Sequence, residues 1–418
     1  MPPAFRASDF KRIALRSTGG KVKAIFWHLG VRCALEARGF TFTSGFGPRA
    51  DPQPGEIGHL IGSSAGAIFS LLVAAGYGVP EILESFLGRA SRLPRIDEST
   101  IFHRHARGIR GYARRVRNAV NLRAGQEIFP GSGVGSMPDL ADEEQNIEAE
   151  YNLTARKFFR YFHLSDLLVF RSHYSVSGME RWFQRVLGGH ESFEDLRARM
   201  FILASDLDMP MTAVFGTRDE DRVWYRYLSS VSVPRAVAAS MAIPSVFNPV
   251  SITMDGRKHY FIDGDVYNPT ELMIESDHGC DLAIISSFEA PYRFHPAIGS
   301  LHHLGLPYEV SQTIALAIYS RFMQARNAAK AKWAGLQAAR DALAPHVNEE
   351  TLERESARIA KALEMSLEMK IIHVHPYKNP LLFFGNAFDL SPRSLGKMLV
   401  EASLQASDLL DREGFPLP

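Results

Sequence analysis

Apolar positions fall into short runs and helix-period stretches almost from the start of the chain. Ile13 to Leu15 is a brief apolar run ahead of a Gly19-Gly20 turn. Ala24 to Arg38 carries Ile25, Leu29 and Cys33 at helical spacing and stops at Gly39, a residue suited to a helix C-terminus. His59-Leu60-Ile61 reads as a buried strand, and Ala65 to Ala75 as a helix closed by Gly76 and Gly78 before Pro80. After Phe193 further strands are predicted at Met200–Ala204, Ala213–Gly216, Trp224–Leu228, Tyr260–Ile262, Leu282–Ile285 and Ile371–Val374. Val310 to Leu343 has the pattern of a long amphipathic helix (Ile314, Ile318, Phe322), and Glu349–Met369 and Ser391–Leu410 predict two more. Strands alternating with helices, and no internal repeat, make an α/β protein.

The middle of the chain is different. His103 to Gln126 holds seven arginines and no acid, whereas Asp139 to Glu150 holds six acids and no base. The glycine-rich segment Gly131 to Ser136 between them predicts a loop, and no Lys-Ser/Thr follows it, so it is not read as a nucleotide site. Arg107, Arg110, Arg114 and Arg117 repeat at helical spacing, with Ile109, Tyr112, Val116 and Val120 on the other side. Two readings stand: a helix lying on an anionic membrane through Arg104–Arg123, or a solvated helix paired with the acidic segment.

Composition narrows the class without deciding it. With 418 residues, 46% hydrophobic and 22% charged, the chain can bury a large core and is not disordered. A net charge of +1 gives no reason to expect a nucleic-acid partner. Cys33 and Cys280 are too few for a disulfide framework, and no His-Glu-x-x-His or Cys-x-x-Cys spacing suggests a metal; no cofactor is expected. The start has no signal-peptide core, and the most apolar stretch, Ala65 to Val79, is shorter than a bilayer span. The expectation is a soluble, cytoplasmic protein whose membrane contact, if any, is peripheral.

Gly62-Ser63-Ser64-Ala65-Gly66 matches Gly-x-Ser-x-Gly between a predicted strand and a predicted helix. A reactive serine on such a turn sits on strained backbone, so Gly62 and Gly66 must be small, and the helix start at Ala65 points N–H groups at a developing oxyanion. The pentad alone is weak, since roughly one chain in seven of this length holds it by chance. A glycine-lined helix start capped by Ser63 or Ser64 is the bland alternative.

Four ordered segments together resemble the patatin-like acyl hydrolases. Gly19-Gly20-Lys21-Val22-Lys23-Ala24 is similar to that family's loop, usually Gly-Gly-Gly-x-Arg/Lys-Gly, and Ile61 to Ala67 is similar to its serine elbow. Ala239-Ser240-Met241-Ala242-Ile243-Pro244, followed by Phe247-Asn248-Pro249-Val250, resembles its third block; Asp263-Gly264-Asp265, then Asn268-Pro269, resembles its Asp-Gly-Gly/Ala motif. The resemblance implies a three-layer α/β/α sandwich with a central, mostly parallel sheet and a helical cap. On that basis residues 1–418 form one domain, with a cap at 93–174 and a long-helix insertion at 310–370. It also implies Ser64 as nucleophile, Asp263 as base, and an oxyanion and substrate site from Gly19, Gly20, Lys21, Val22, Lys23, Ala24 and Ala65, with Gly62, Gly66 and Gly264 supporting the turns. The implied substrate is an acyl lipid.

Two departures from the pattern stand out. Lys21 and Ala24 replace loop glycines; a lysine can supply its N–H there if its φ stays negative. Asp265 replaces the usual Gly or Ala, and a second carboxylate would raise the pKa of the first if the two converge. Asp263-Gly264 alone is also an ordinary hairpin signal. A free Asp, with a pKa of about 3.9, is a poor base at neutral pH, and an apolar setting beside Phe261 and Ile262 is what its role would require. His28, within the first helix, is read as packing or surface. Two alternatives remain: an α/β-hydrolase triad using Ser64, Asp263 and one of His278, His302, His303, His373 and His375, or a non-catalytic lipid-binding scaffold with a degenerate loop.

Overall fold

The computed structural model describes most of residues 4–417; the longer stretches left out are 105–173 and 377–390. Its strands are β1 (Ile13–Ser17), β2 (Thr41–Phe42), β3 (Glu56–Ser63), β4 (His103–Arg104), β5 (Tyr174–Ser175), β6 (Arg199–Asp206) and β7 (Thr212–Phe215). There follow β8 (Glu220–Asp221), β9 (Tyr225–Leu228), β10 (Val250–Met254), β11 (Arg257–Ile262), β12 (Leu282–Ser286) and β13 (Lys370–Val374). The helices are α1 (Lys21–Glu36), α2 (Ala65–Ala74), α3 (Val79–Phe86), α4 (Ser177–Leu187), α5 (Val233–Ser240) and α6 (Met273–Asp277). The last three are α7 (Leu306–Leu343), α8 (Glu349–Ala362) and α9 (Pro392–Arg412).

Among the described residues the main sheet runs β13-β12-β1-β3-β6-β7-β9-β8, with β2 beside β3 and the β10–β11 hairpin beside β6. From β13 to β6 every pairing is parallel, and the antiparallel ones begin at β6–β7 and β6–β11. This is the mostly parallel sheet surrounded by helices expected of an α/β/α fold. The central strands explain why their sequences read as solid apolar runs. Ile13, Leu15, Leu60, Ile202 and Ala204 face the larger core, while Ala14, Ile61, Phe201 and Leu203 face a second cluster with Tyr227 and Ile274. Both faces are covered, so neither side of the strand is left polar.

On the larger face α1 and α9 cross so closely that a Cβ on Gly30 would lie 2.3 Å from the Leu399 carbonyl oxygen. Arg38, just past α1, clamps the pair by donating to the Phe415 carbonyl and to Asp411. Beneath the sheet Arg16 of β1 makes a two-pronged ion pair with Glu275 of α6, each bond 2.7 Å, with both side chains buried.

Some expectations shift in extent. The first helix starts at Lys21, three residues before the predicted Ala24, and the long helix begins at Leu306 instead of Val310. The predicted cap, the arginine-rich segment, the 131–136 loop and the acidic segment lie almost wholly outside the described residues. Arg104, at the start of the arginine-rich region, is described in β4, a strand paired with β5.

Candidate active site

Sheet register brings the candidate residues together. β3 runs parallel to β6 with Ser63 opposite Leu203, and β11 runs antiparallel to β6 with Ile262 opposite Ser205. With β7 on the other edge of β6, β3 and β11 share one edge, and their carboxyl ends meet there. Ser64 follows β3 at φ 52°, ψ −121°, and α2 begins at the next residue. Such backbone is costly for a residue with a side chain, and close packing enforces it here. A Cβ on Gly66 would lie 2.0 Å from the Ser17 carbonyl oxygen, and one on Gly62 2.6 Å from Ala67 Cα. The two flanking glycines are required by contact, as the motif predicts.

Asp263 caps the end of β11. Its N–H donates to the Ala242 carbonyl at 3.0 Å, and its own carbonyl accepts from Ser205 Oγ at 2.9 Å. Gly264 N–H donates to the Ser240 carbonyl, and a Cβ there would strike the Leu203 carbonyl oxygen at 2.2 Å. Held this way, Asp263 accepts a hydrogen bond from Ser64 Oγ at 2.6 Å through Oδ2, and one from Asp265 N–H at 2.9 Å through Oδ1. Ser64 and Asp263 are both buried. Asp263-Gly264 is thus not a hairpin turn; the hairpin is β10–β11, with Gly256 at φ 73° in its two-residue connection.

Three residues make contacts that the sequence does not reveal. Ser240, in the third block, accepts from Ser64 N–H at 2.9 Å and donates to the Leu203 carbonyl at 2.5 Å. Asp265 turns toward the site: Oδ1 accepts from Ser63 Oγ at 2.5 Å and Oδ2 from Gly19 N–H at 2.7 Å. Burial pushes its carboxyl up to about 6, against the pull of the Ser63 and Gly19 bonds and the Arg16 charge. Arg321 of α7 donates to the Val266 and Tyr267 carbonyls just beyond this turn.

The glycine loop is fixed from below. His28, fully buried, has Nε2 2.8 Å from the Thr18 carbonyl and Nδ1 2.6 Å from Ser286 Oγ. Burial pulls its pKa down to about 4, so the ring is neutral at pH 7. A carbonyl can only accept, so Nε2 carries the proton and Nδ1 accepts from the Ser286 hydroxyl. Gly20 follows at φ 135° and Lys21 at φ 64°. The negative φ on which the lysine's fit depended is not found; α1 begins directly at Lys21, and that abrupt start imposes a left-handed residue.

The N-termini of α1 and α2 face one cleft. Lys21, Val22, Ser64 and Ala65 line its base, and Ile68, Phe86, Met179, Met241 and Phe247 line its apolar walls. Helix starts present N–H groups without intrahelical partners, here at Gly20 to Val22 and around Ala65, and both dipoles place partial positive charge there. Gly19 and Ser64 spend their own N–H groups on Asp265 and Ser240. Ala24 lies one position deeper in α1, where intrahelical bonding has begun.

The late histidines have other company. His278 packs on Phe201 and His59, His302 meets Glu309, and His373 meets Ser287 and stacks on His375, while His303 lies against His302. Asn268-Pro269 lies outside the described residues. Among the described residues no helix is long and apolar enough to cross a membrane. The model of the family described as Patatin-like phospholipase matches residues 18–274 of the chain. No curated protein matches it.

Proposed function

The chain belongs to the patatin-like phospholipase family, a family of lipid acyl hydrolases, and from that premise we propose that it cleaves acyl esters with Ser64 as nucleophile and Asp263 as base. The observation that carries the reading is the direct 2.6 Å bond from Ser64 Oγ to Asp263 Oδ2 at the base of an apolar cleft. Ser64 Oγ attacks the ester carbonyl while its proton passes to Asp263. The oxyanion gathers N–H groups from the start of α1 and from Ala65. Collapse expels the alcohol, which takes the proton back from Asp263, and leaves an acyl ester on Ser64. Water, deprotonated by the same carboxylate, attacks this ester; the acid leaves and Ser64 regains its proton. The apolar walls fit an acyl chain. The direct Ser–Asp bond supports a dyad over a triad with a histidine.

Lys21 at φ 64° favours a second reading, a lipid-binding protein whose loop is mis-set for turnover. A fluorophosphonate probe and short p-nitrophenyl esters decide between them. Labelling of Ser64, with turnover abolished in Ser64→Ala at an almost unchanged thermal midpoint, is the expected result. A native protein that neither labels nor turns over would overturn the hydrolase reading in favour of binding.

A further inference from the structure

Asp265 stands at the meeting point of three segments. Its Oδ2 accepts from Gly19 N–H in the glycine loop, its Oδ1 from Ser63 Oγ beside the proposed nucleophile, and its N–H donates to the proposed base, Asp263. No other residue of the site joins all three in the described hydrogen bonding. Gly19 shows how tightly they meet. A Cβ built there would lie 1.9 Å from Asp265 Oδ2 and 2.7 Å from Ser64 Cβ. The carboxylate and the nucleophile therefore both crowd the face of Gly19 where a Cβ would stand, and only a glycine lets loop and serine approach this closely. A carboxylate in so buried a place is expensive to desolvate, and only the bonds and charge around it offset that cost.

The loop it holds has a reason to need holding. Two residues beyond Gly19, Lys21 sits in left-handed backbone that a residue with a Cβ abandons unless its surroundings impose it. Lys21 and Asp265 both depart from the family pattern, and they fall at opposite ends of one short connection: Lys21–Gly20–Gly19–Asp265.

We infer that Asp265 is a positioning residue whose carboxylate holds the glycine loop in register with Ser64 and offsets the strain that Lys21 brings to it. This rests on the hydrolase reading above. Asp265 touches no substrate; it acts by fixing the direction of the N–H groups that follow Gly19. Misdirected donors are felt in the transition state far more than in binding, so the loss belongs in kcat and not in KM.

The test is a double-mutant cycle on p-nitrophenyl butyrate hydrolysis, with native, Asp265→Gly, Lys21→Gly and double-variant proteins. Asp265→Gly should lower kcat about 100-fold with KM within about threefold. Asp265→Asn keeps one oxygen for the Gly19 N–H and guards against a glycine variant that fails to fold; its kcat should lie between native and Asp265→Gly. In the Lys21→Gly background the Asp265→Gly loss should shrink to about tenfold or less. Native kcat in Asp265→Gly or in Asp265→Asn would overturn the positioning role, as would a loss carried mainly in KM. An equal loss with and without Lys21→Gly would overturn the link to strain. If native protein labels with fluorophosphonate and Asp265→Gly labels as fast, this inference fails alone; if native protein does not label, the hydrolase reading fails first.

Discussion

Replacing Ser240 with alanine should weaken both the fold and the reactivity of Ser64, although Ser240 touches no substrate. Its hydroxyl is a two-bond bridge, accepting from Ser64 N–H and donating to the Leu203 carbonyl, in a position with no solvent exposure. Alanine keeps the shape and removes both bonds, worth about 1 kcal/mol each. The Leu203 carbonyl can accept elsewhere, but an amide has a single hydrogen, and Ser64 N–H would be orphaned in a buried turn at about 1–3 kcal/mol. The expected loss is about 2–4 kcal/mol. It should appear as a lower urea midpoint in the fluorescence of Trp27 and Trp182, both fully buried. The same N–H helps hold Ser64 at φ 52°, so fluorophosphonate labelling should slow by about 10- to 100-fold. A variant with native midpoint and native labelling rate would refute the reasoning and leave packing alone to hold the turn.

Other outcomes follow from the same geometry. Asp263→Asn should lower p-nitrophenyl ester turnover by at least about 100-fold while circular dichroism stays native, because the amide keeps the shape but cannot take the serine proton; retained turnover would assign the base elsewhere. Arg16→Met should cost about 3–5 kcal/mol in urea unfolding by stranding the Glu275 carboxylate, and Arg16→Met with Glu275→Leu should recover most of it; a single variant as stable as native would show the pair to be inert. Burial holds His28 and His278 down to about 4 and His59 to about 3, so as pH falls below about 6.5 the unfolded chain takes up protons that the folded one refuses. Stability is lost through that window, while Asp265, raised toward 6, works the other way, its contribution present at low pH and lost as pH rises through 6. Three groups against one predict a lower urea midpoint at pH 4.5 than at pH 7.5; a flat or rising midpoint would contradict this.

What could be read from the sequence divides along physical lines. β1, β3, β6 and β12 announce themselves because burial on both faces leaves most of their central positions apolar, and α2 for the same reason. β10 is not among the predicted strands, although Val-Ser-Ile-Thr-Met alternates and ends at the true hairpin. No helix is predicted at α5, whose Pro234 stands in the first turn, a position proline tolerates. The first turn of α1 reads as loop because Gly19 and Gly20 precede it and two lysines stand in it, and only the Gly20 and Lys21 dihedrals let a helix start there. At the site, Ser64 and Asp263 are visible through local motifs. The contacts of Ser240 and Asp265 are not, because they depend on how β3, β6 and β11 align.

The Ser64–Asp263 bond spans 199 positions of chain, and Gly19–Asp265 spans 246. Contacts so distant in sequence close late, after the loops between them have lost their entropy. During synthesis, therefore, the serine leaves the ribosome long before its carboxylate partner exists. For that whole interval Ser64 lacks the carboxylate that accepts its hydroxyl proton in the folded chain. A fluorophosphonate pulse applied to arrested ribosome–nascent-chain complexes should leave those halted before residue 263 unlabelled, and labelling should begin only once β11 and the turn after it have cleared the exit tunnel.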